Sequence, residues 1–162
     1  MYKKLFVFLS CLLLCLLTCS CKANSQKNIL DFFSQETVRF KYMETEYEYN
    51  TEKDVFTYLS GNYNGMRVCF AKSGCIITYG GFSLKTQPHD MPHLKAFHGL
   101  YSAFENSSDS AVTTDDGAYA LLIDSWRFLV YYNKDAERID TLIAETENGV
   151  FEYTVLISEE TD

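Results

Sequence analysis

The chain is short of the residues that carry out chemistry. Only three histidines occur in 162 residues. They are His89, His93 and His98. His89 and His93 have the spacing that a helix turns into a metal-binding pair, but Pro92 stands directly before His93 and opposes a continuous helix across them. No His-Glu-x-x-His order and no Gly-x-Ser-x-Gly elbow occurs. A glycine-rich phosphate loop is missing too, and Gly80-Gly81 reads as a break or bulge in a sheet. Asp115-Asp116 is an acidic turn with too few oxygen ligands for calcium. These absences argue against an enzyme and against any metal or other cofactor. Positive charge is scarce as well: 14 basic residues stand against 22 acidic ones, a net charge of −8. Such a balance disfavours nucleic acid and anionic membrane surfaces as partners. Internal repeats, low-complexity tracts and linkers are absent, which leaves one domain.

What is there begins at the N-terminus. Lys3 and Lys4 form a positive start, and Leu5 to Leu17 is an apolar run broken only by Ser10. The run is shorter than the ~20 residues a spanning helix usually needs. Thr18-Cys19-Ser20-Cys21 follows, then polar Lys22, Asn24, Ser25 and Gln26. This is the three-part layout of a secretory signal peptide. The exit resembles a bacterial lipobox, in which a small residue precedes a cysteine that becomes the lipidated mature N-terminus. Ser20-Cys21 fits the junction, with Thr18 where the motif prefers leucine. Cys19 has Leu16 at the preferred distance but Thr18 before it, and stands as the alternative. Diacylglycerol on the thiol supplies the two-chain anchoring that a single chain cannot. The expected division is a leader at 1–20, a lipidated tether at 21–27 and one domain at 28–162. Loss of Lys3 and Lys4 with the leader leaves 12 basic and 22 acidic residues, a charge of −10. The expected location is the outer face of the cell membrane, held by lipid.

Of six cysteines, Cys11, Cys15 and Cys19 fall in the leader and Cys21 carries the lipid. Cys69 and Cys75 remain. Met66–Ala71 and Cys75–Tyr79 read as two strands joined by Lys72-Ser73-Gly74, with Gly74 in the left-handed position. In that register Cys69 faces Ile77, with Cys75 diagonal to it on the same face. Outside the cytoplasm a disulfide is then conceivable; two buried free thiols are the alternative. Neither thiol has an adjacent base that would make it a nucleophile.

Ile29, Leu30, Phe32 and Phe33 give a short helical apolar face. Thr37–Asn50 alternates like one long strand, although its apolar set passes from the Val38 side to the Met43 side, as a twist or bulge would produce. Asp54–Gly61 is a further strand, with a turn at Asn62–Gly65. Leu94 to Glu105 is the one clear interior helix, carrying Leu94, Phe97, Leu100, Tyr101 and Phe104 at helical spacing. Strands follow at Tyr119–Ile123, Trp126–Asn133, Arg138–Glu145 and Val150–Ser158, with a weak one at Ser110–Thr114. Hairpin spacing throughout points to an α+β fold built on a strongly curved antiparallel sheet.

This order of elements resembles the LolA/LolB superfamily of extracytoplasmic lipoprotein carriers, and within it small lipid-anchored relatives in spore-forming bacteria. The likeness lies in the aromatic N-terminal helix, the extended Thr37–Asn50 segment, the hairpins through Tyr79, the helix near Leu94–Glu105 between two sheet halves, and the closing hairpin Arg138–Ser158. It implies a half-barrel with an N-terminal helix and one inserted helix packed on its concave face, enclosing an apolar cavity. Carriers use that cavity for acyl chains, and other members serve as partner-binding modules. A soluble carrier has no lipid anchor, so Cys21 points away from a released ferry and toward a tethered acceptor or platform.

Phe128, Val130 and Tyr132 alternate with Leu129 and Tyr131, so both faces of that strand are apolar. Such a strand is either central and covered on both sides or lines a cavity. The expected cavity lining is Phe97, Leu100, Tyr101, Phe104, Phe128, Val130 and Tyr132. The expected function is a membrane-tethered protein that binds a lipid, an acyl chain or a lipoprotein in that cavity. The alternative is a lipid-anchored protein–protein interaction module with a solid core, for which exposed Tyr47, Tyr49 and Tyr63 would mark the contact.

Overall fold

The computed structural model describes residues 29–71, 74–107, 111–114 and 117–157. The leader, the tether, Cys19 and Cys21 lie outside the described residues. Residues 29–33 are helical and are called α1. Six strands follow: β1 (Thr37–Tyr42), β2 (Thr45–Asn50), β3 (Val55–Tyr58), β4 (Arg67–Ala71), β5 (Gly74–Tyr79) and β6 (Phe82–Thr86). A single long helix, α2 (Pro92–Ser107), leads to five more: β7 (Val112–Thr113), β8 (Tyr119–Ile123), β9 (Trp126–Asn133), β10 (Arg138–Thr146) and β11 (Gly149–Leu156).

All eleven strands form one open antiparallel sheet in the order β6-β5-β4-β3-β2-β1-β11-β10-β9-β8-β7. The chain walks outward from the centre to the β6 edge. Through α2 it returns to the far edge and walks inward from β7. The two arms meet where β1 pairs with β11, Phe40 opposite Val155. Each arm is a meander of short hairpins, which is why the turn signals recur so closely.

Two expectations about register are corrected, and one rule corrects both. Thr37–Asn50 is not one strand. It is the β1–β2 hairpin, in which Tyr42 pairs with Thr45 across a turn at Met43, whose φ is +53°. Crossing a two-residue turn moves a given face from even to odd numbers. Val38, Phe40 and Tyr42 therefore share a side with Thr45, Tyr47 and Tyr49. Met43, expected on the apolar side, is 75% exposed. The same parity governs β4–β5. Ala71 pairs with Gly74, so Cys69 faces Ile76 and Cys75 faces Phe70. The two cysteines, both odd-numbered, lie on opposite faces, and both are free. The expected Cys69–Ile77 register is off by one residue, and the disulfide it allowed has no geometry. Gly74 opens β5 and is not in the turn, and it keeps the positive φ expected of it, at +135°. Gly80-Gly81, expected as a break or bulge, is the β5–β6 turn, with φ of +56° and +84° at its two residues. Positive φ at both central positions is the geometry that fits a tight hairpin, and glycine adopts it without strain.

The core lies on one side of the sheet. It gathers Val38, Phe40, Phe56 and Val68 from the first arm and Val130, Leu142, Ala144 and Tyr153 from the second, all essentially inaccessible. Against these pack Leu94, Phe97, Leu100, Tyr101 and Phe104 of α2. Phe97 stacks on Phe40 with ring centres 3.8 Å apart and meets Tyr153 edge-on at 5.1 Å. α1 joins the same layer, where Phe33 stacks on Phe104 at 5.0 Å. The Tyr101 hydroxyl donates to the carbonyls of Phe33 at 2.8 Å and Gln35 at 3.1 Å. It thereby caps the C-terminal end of α1, whose last carbonyls have no partner within the helix.

Candidate functional site

Most of the residues expected to line a cavity are packed in the core. Phe97, Leu100, Tyr101, Phe104, Phe128 and Val130 are all at most 2% exposed, and Tyr132 is partly buried against the same cluster. The rings of Phe40, Tyr49, Phe56, Phe97 and Tyr101 lie in stacked or edge-on contact with one another. Tyr47 and Tyr49, expected on the surface, are 4% and 2% exposed. The reason is again parity, which turns them toward Phe40. Burial raises the pKa of both phenols. The Tyr49 hydroxyl donates to Asp54 at 2.6 Å, and His98 Nε2 lies 2.9 Å from the same carboxylate oxygen. Tyr63 is exposed as expected, at 58%.

His93 sits on α2 at the margin of this layer. Its ring stacks on Tyr42 at 5.0 Å, and Nε2 lies 3.4 Å from the Tyr47 hydroxyl. Burial pushes its pKa down to about 4, so it is neutral near pH 7. Its backbone carbonyl accepts from the Tyr153 hydroxyl at 2.6 Å. His93 is thus a packing residue, and the expectation that Pro92 separates it from His89 holds: Pro92 opens α2, and His89 lies in the preceding 3₁₀ turn Pro88–Asp90. Among the described residues no three His, Cys, Asp or Glu side chains gather as a metal would require. Burial also raises the pKa of the Cys75 thiol, the reverse of what a nucleophile needs.

Two places among the described residues combine apolar side chains with access to something outside the chain. The first is the β5–β6 end of the core face. Register puts Ile77 opposite Leu84 and Tyr79 opposite Phe82. Ile77 is also the partner of Val68, so all of these side chains share the face that carries Val68 and Cys75. Val68 and Cys75 are inaccessible, yet Tyr79 is 44% exposed, Leu84 64% and Phe82 83%. The cause is reach. Eleven strands spaced ~4.8 Å apart make a sheet ~48 Å across, whereas α2 runs along β1 and β2, with His93 on Tyr42, Phe97 on Phe40 and Tyr101 against Tyr49, and a helix with its side chains is only ~10–12 Å wide. α2 covers the middle and leaves the end bare. Tyr63 adjoins the bare area through its edge-on contact with Tyr58 at 6.3 Å. The Tyr79 hydroxyl, donating to the Asn62 carbonyl at 3.4 Å, ties that loop to β5. Sequence reasoning missed Phe82 and Leu84. Their alternation marks a strand, but no local signal says that its apolar side lacks a cover.

The second place is a cleft of about 550 Å³ between the C-terminal half of α2 and the β8–β9 hairpin. Ala103, Ile123, Trp126 and Phe128 give it an apolar floor, and Ser102, Asn106, Asp124 and Ser125 a polar rim. Gly99 makes the close helix–hairpin approach feasible, since a Cβ there would lie 2.9 Å from the Trp126 ring. Phe128 is the one residue of the expected lining that reaches this cleft.

No helix among the described residues is long and apolar enough to cross a membrane. Comparison with known proteins returns no matching family, no matching curated protein and no matching solved structure.

Proposed function

We propose that this chain is a lipid-anchored, extracytoplasmic protein-interaction module of the LolA/LolB-like kind. The leader and the Cys21 junction support the anchor. The meander–helix–meander order supports the likeness, with the sheet read as a half-barrel and both helices on its concave side. The observation that carries the interaction role is the bare end of the core face, where Phe82 is 83% exposed while Val68 on the same face is inaccessible. An uncovered aromatic and aliphatic surface continuous with a core marks a contact site. The close ring packing of Phe40, Phe97 and Tyr101 supports this reading over an acyl-chain cavity at that place.

A second reading, the tethered lipid- or lipoprotein-binding protein, draws its support from the 550 Å³ cleft. An apolar floor with a polar rim suits an amphipathic ligand.

The test is photocrosslinking in living cells with a benzophenone residue at position 82 and, as control, at Leu122, which is 71% exposed on the other arm. A discrete protein adduct at 82 and none at 122 is the expected result. No protein adduct at 82, together with a lipid that co-purifies with the full chain and is lost on filling the cleft by Ala103→Trp, overturns the interaction module in favour of the lipid reading.

A further inference from the structure

The two edges of the sheet are treated very differently. β7 is only two residues long, Val112–Thr113, and a very short edge strand is one of the ways proteins keep an edge from pairing. β6 has five residues, Phe82-Ser83-Leu84-Lys85-Thr86, with no proline and no register shift against β5. A single outward lysine is its only recognised guard. Four of its five side chains are exposed. Across the Gly80-Gly81 turn, Tyr79 and Phe82 form the closing pair, as do Ile77 with Leu84 and Cys75 with Thr86 at two-residue intervals. Alternation in an antiparallel ladder then points the N–H and C=O of Ser83 out of the sheet edge.

We infer that the β6 edge takes an extended segment of a partner protein as an additional strand, its alternate apolar side chains extending the face of Phe82 and Leu84. The inference rests on the interaction-module reading and names the kind of partner. The edge dictates the extended backbone, since only a strand matches its hydrogen-bonding groups. The face dictates alternation, because side chains of the added strand fall in turn on the core side and the solvent side. Charge chooses a partner segment over a second copy. At −10 per chain without its leader two copies repel each other, while a neutral or basic segment is attracted. Strand addition also covers Phe82 and Leu84, which α2, lying along β1 and β2, leaves exposed.

The experiment uses the full chain in detergent and, as probe, a short synthetic peptide of alternating valine and threonine with a lysine at each end. Fluorescence anisotropy reads the affinity. Ser83→Pro removes the outward N–H, a change an edge strand tolerates, and weakens binding about tenfold or more, the loss of one backbone hydrogen bond and its neighbours. Leu84→Lys does the same by removing the apolar match. The same peptide N-methylated on alternate residues fails to bind the unaltered chain, which tests pairing without altering the protein. Binding that survives both Ser83→Pro and N-methylation but falls with Leu84→Lys overturns strand addition and leaves the contact surface standing. Binding indifferent to all three changes overturns the surface as well. A full chain that sediments as a dimer and becomes monomeric with Ser83→Pro assigns the edge to a second copy and overturns the partner strand.

Discussion

Phe40 and Phe82 face the same side of one sheet, each in a short antiparallel hairpin with alternating apolar residues. Phe40 is inaccessible and Phe82 is 83% exposed. Nothing in their local sequence separates them. Their fates differ because Phe40 lies under α2, stacked on Phe97 at 3.8 Å, and Phe82 lies on the edge strand, to the side of a helix that runs along β1 and β2. The central half of the face behaves as a core, and the β5–β6 half as a surface waiting for cover. Burial here is a property of helix placement and sheet width before it is a property of the residue.

The sharpest way to break this comparison is to remove the cover from the covered half. Phe97→Ala deletes a ring in contact with Phe40, Tyr49, Phe56 and Tyr153. Truncating a buried phenylalanine costs about 3–5 kcal/mol. Urea denaturation of the variant is expected to show a loss in that range or a chain that no longer folds. A loss below about 1 kcal/mol, the size of an ordinary surface change, would mean that α2 is not what defines the core.

Next in size is a pH effect at the margin of the covered half. His93 has a pKa lowered by burial to about 4, against about 6.5 for the free side chain. The unfolded chain therefore binds a proton between those values that the folded chain refuses. Stability from this group is whole above pH 6.5 and is lost as pH falls toward 4, by up to about 3 kcal/mol. His93→Phe keeps a ring on Tyr42 and removes the proton site. The difference in stability between pH 7 and pH 4.5 is expected to shrink in that variant. An unchanged difference would place His93 in contact with water.

Tyr101 tests how firmly α1 belongs to the covered half. Its hydroxyl reaches the carbonyls of Phe33 and Gln35 from inside the core. Tyr101→Phe leaves the ring and removes the donor, at a cost of about 1–2 kcal/mol. Hydrogen exchange is expected to rise in residues 29–35 and not in β5–β6. Uniform exchange changes would show that α1 and the sheet unfold together.

Much of the fold was legible because hairpins write themselves locally. β8 and β9 fall at Tyr119–Ile123 and Trp126–Asn133 as their alternation predicts. The helix read as Leu94–Glu105 extends to Pro92–Ser107, since helical spacing marks the buried stripe and not the polar ends. What failed were questions of parity. Tyr47, Tyr49, Cys69 and Cys75 were all placed by assuming a strand without a turn, or a turn one residue too long, and a single residue of register turns every side chain to the other face. The candidate site was less legible still. Phe82 and Leu84 are visible as strand residues, but their exposure depends on which strands a helix from another part of the chain lies over. Of the expected lining residues, Phe97, Leu100, Tyr101, Phe104 and Val130 pack into the core, while Phe128 reaches the cleft. Apolar periodicity identifies which side chains face inward and says nothing about whether the space between them is empty.

The smallest effect on stability falls in the uncovered half, and it is the most informative about function. Phe82→Ser takes apolar area away from a side chain that is already 83% exposed. Little burial is lost, so the change in unfolding free energy is expected to stay within about 0.5 kcal/mol, the range of ordinary surface substitutions. Solubility is expected to rise, because an apolar residue on an open strand edge is replaced by a polar one. Contact with a partner is expected to fall by about tenfold, since an exposed aromatic at the centre of an interface contributes at least that much. The same substitution at Phe40 would do the opposite: it would unfold the chain before any contact could be measured. A Phe82→Ser protein that is markedly destabilised would show that β5–β6 is already covered by the chain itself. One that is stable and still holds its partner would move the contact to the cleft beside Trp126.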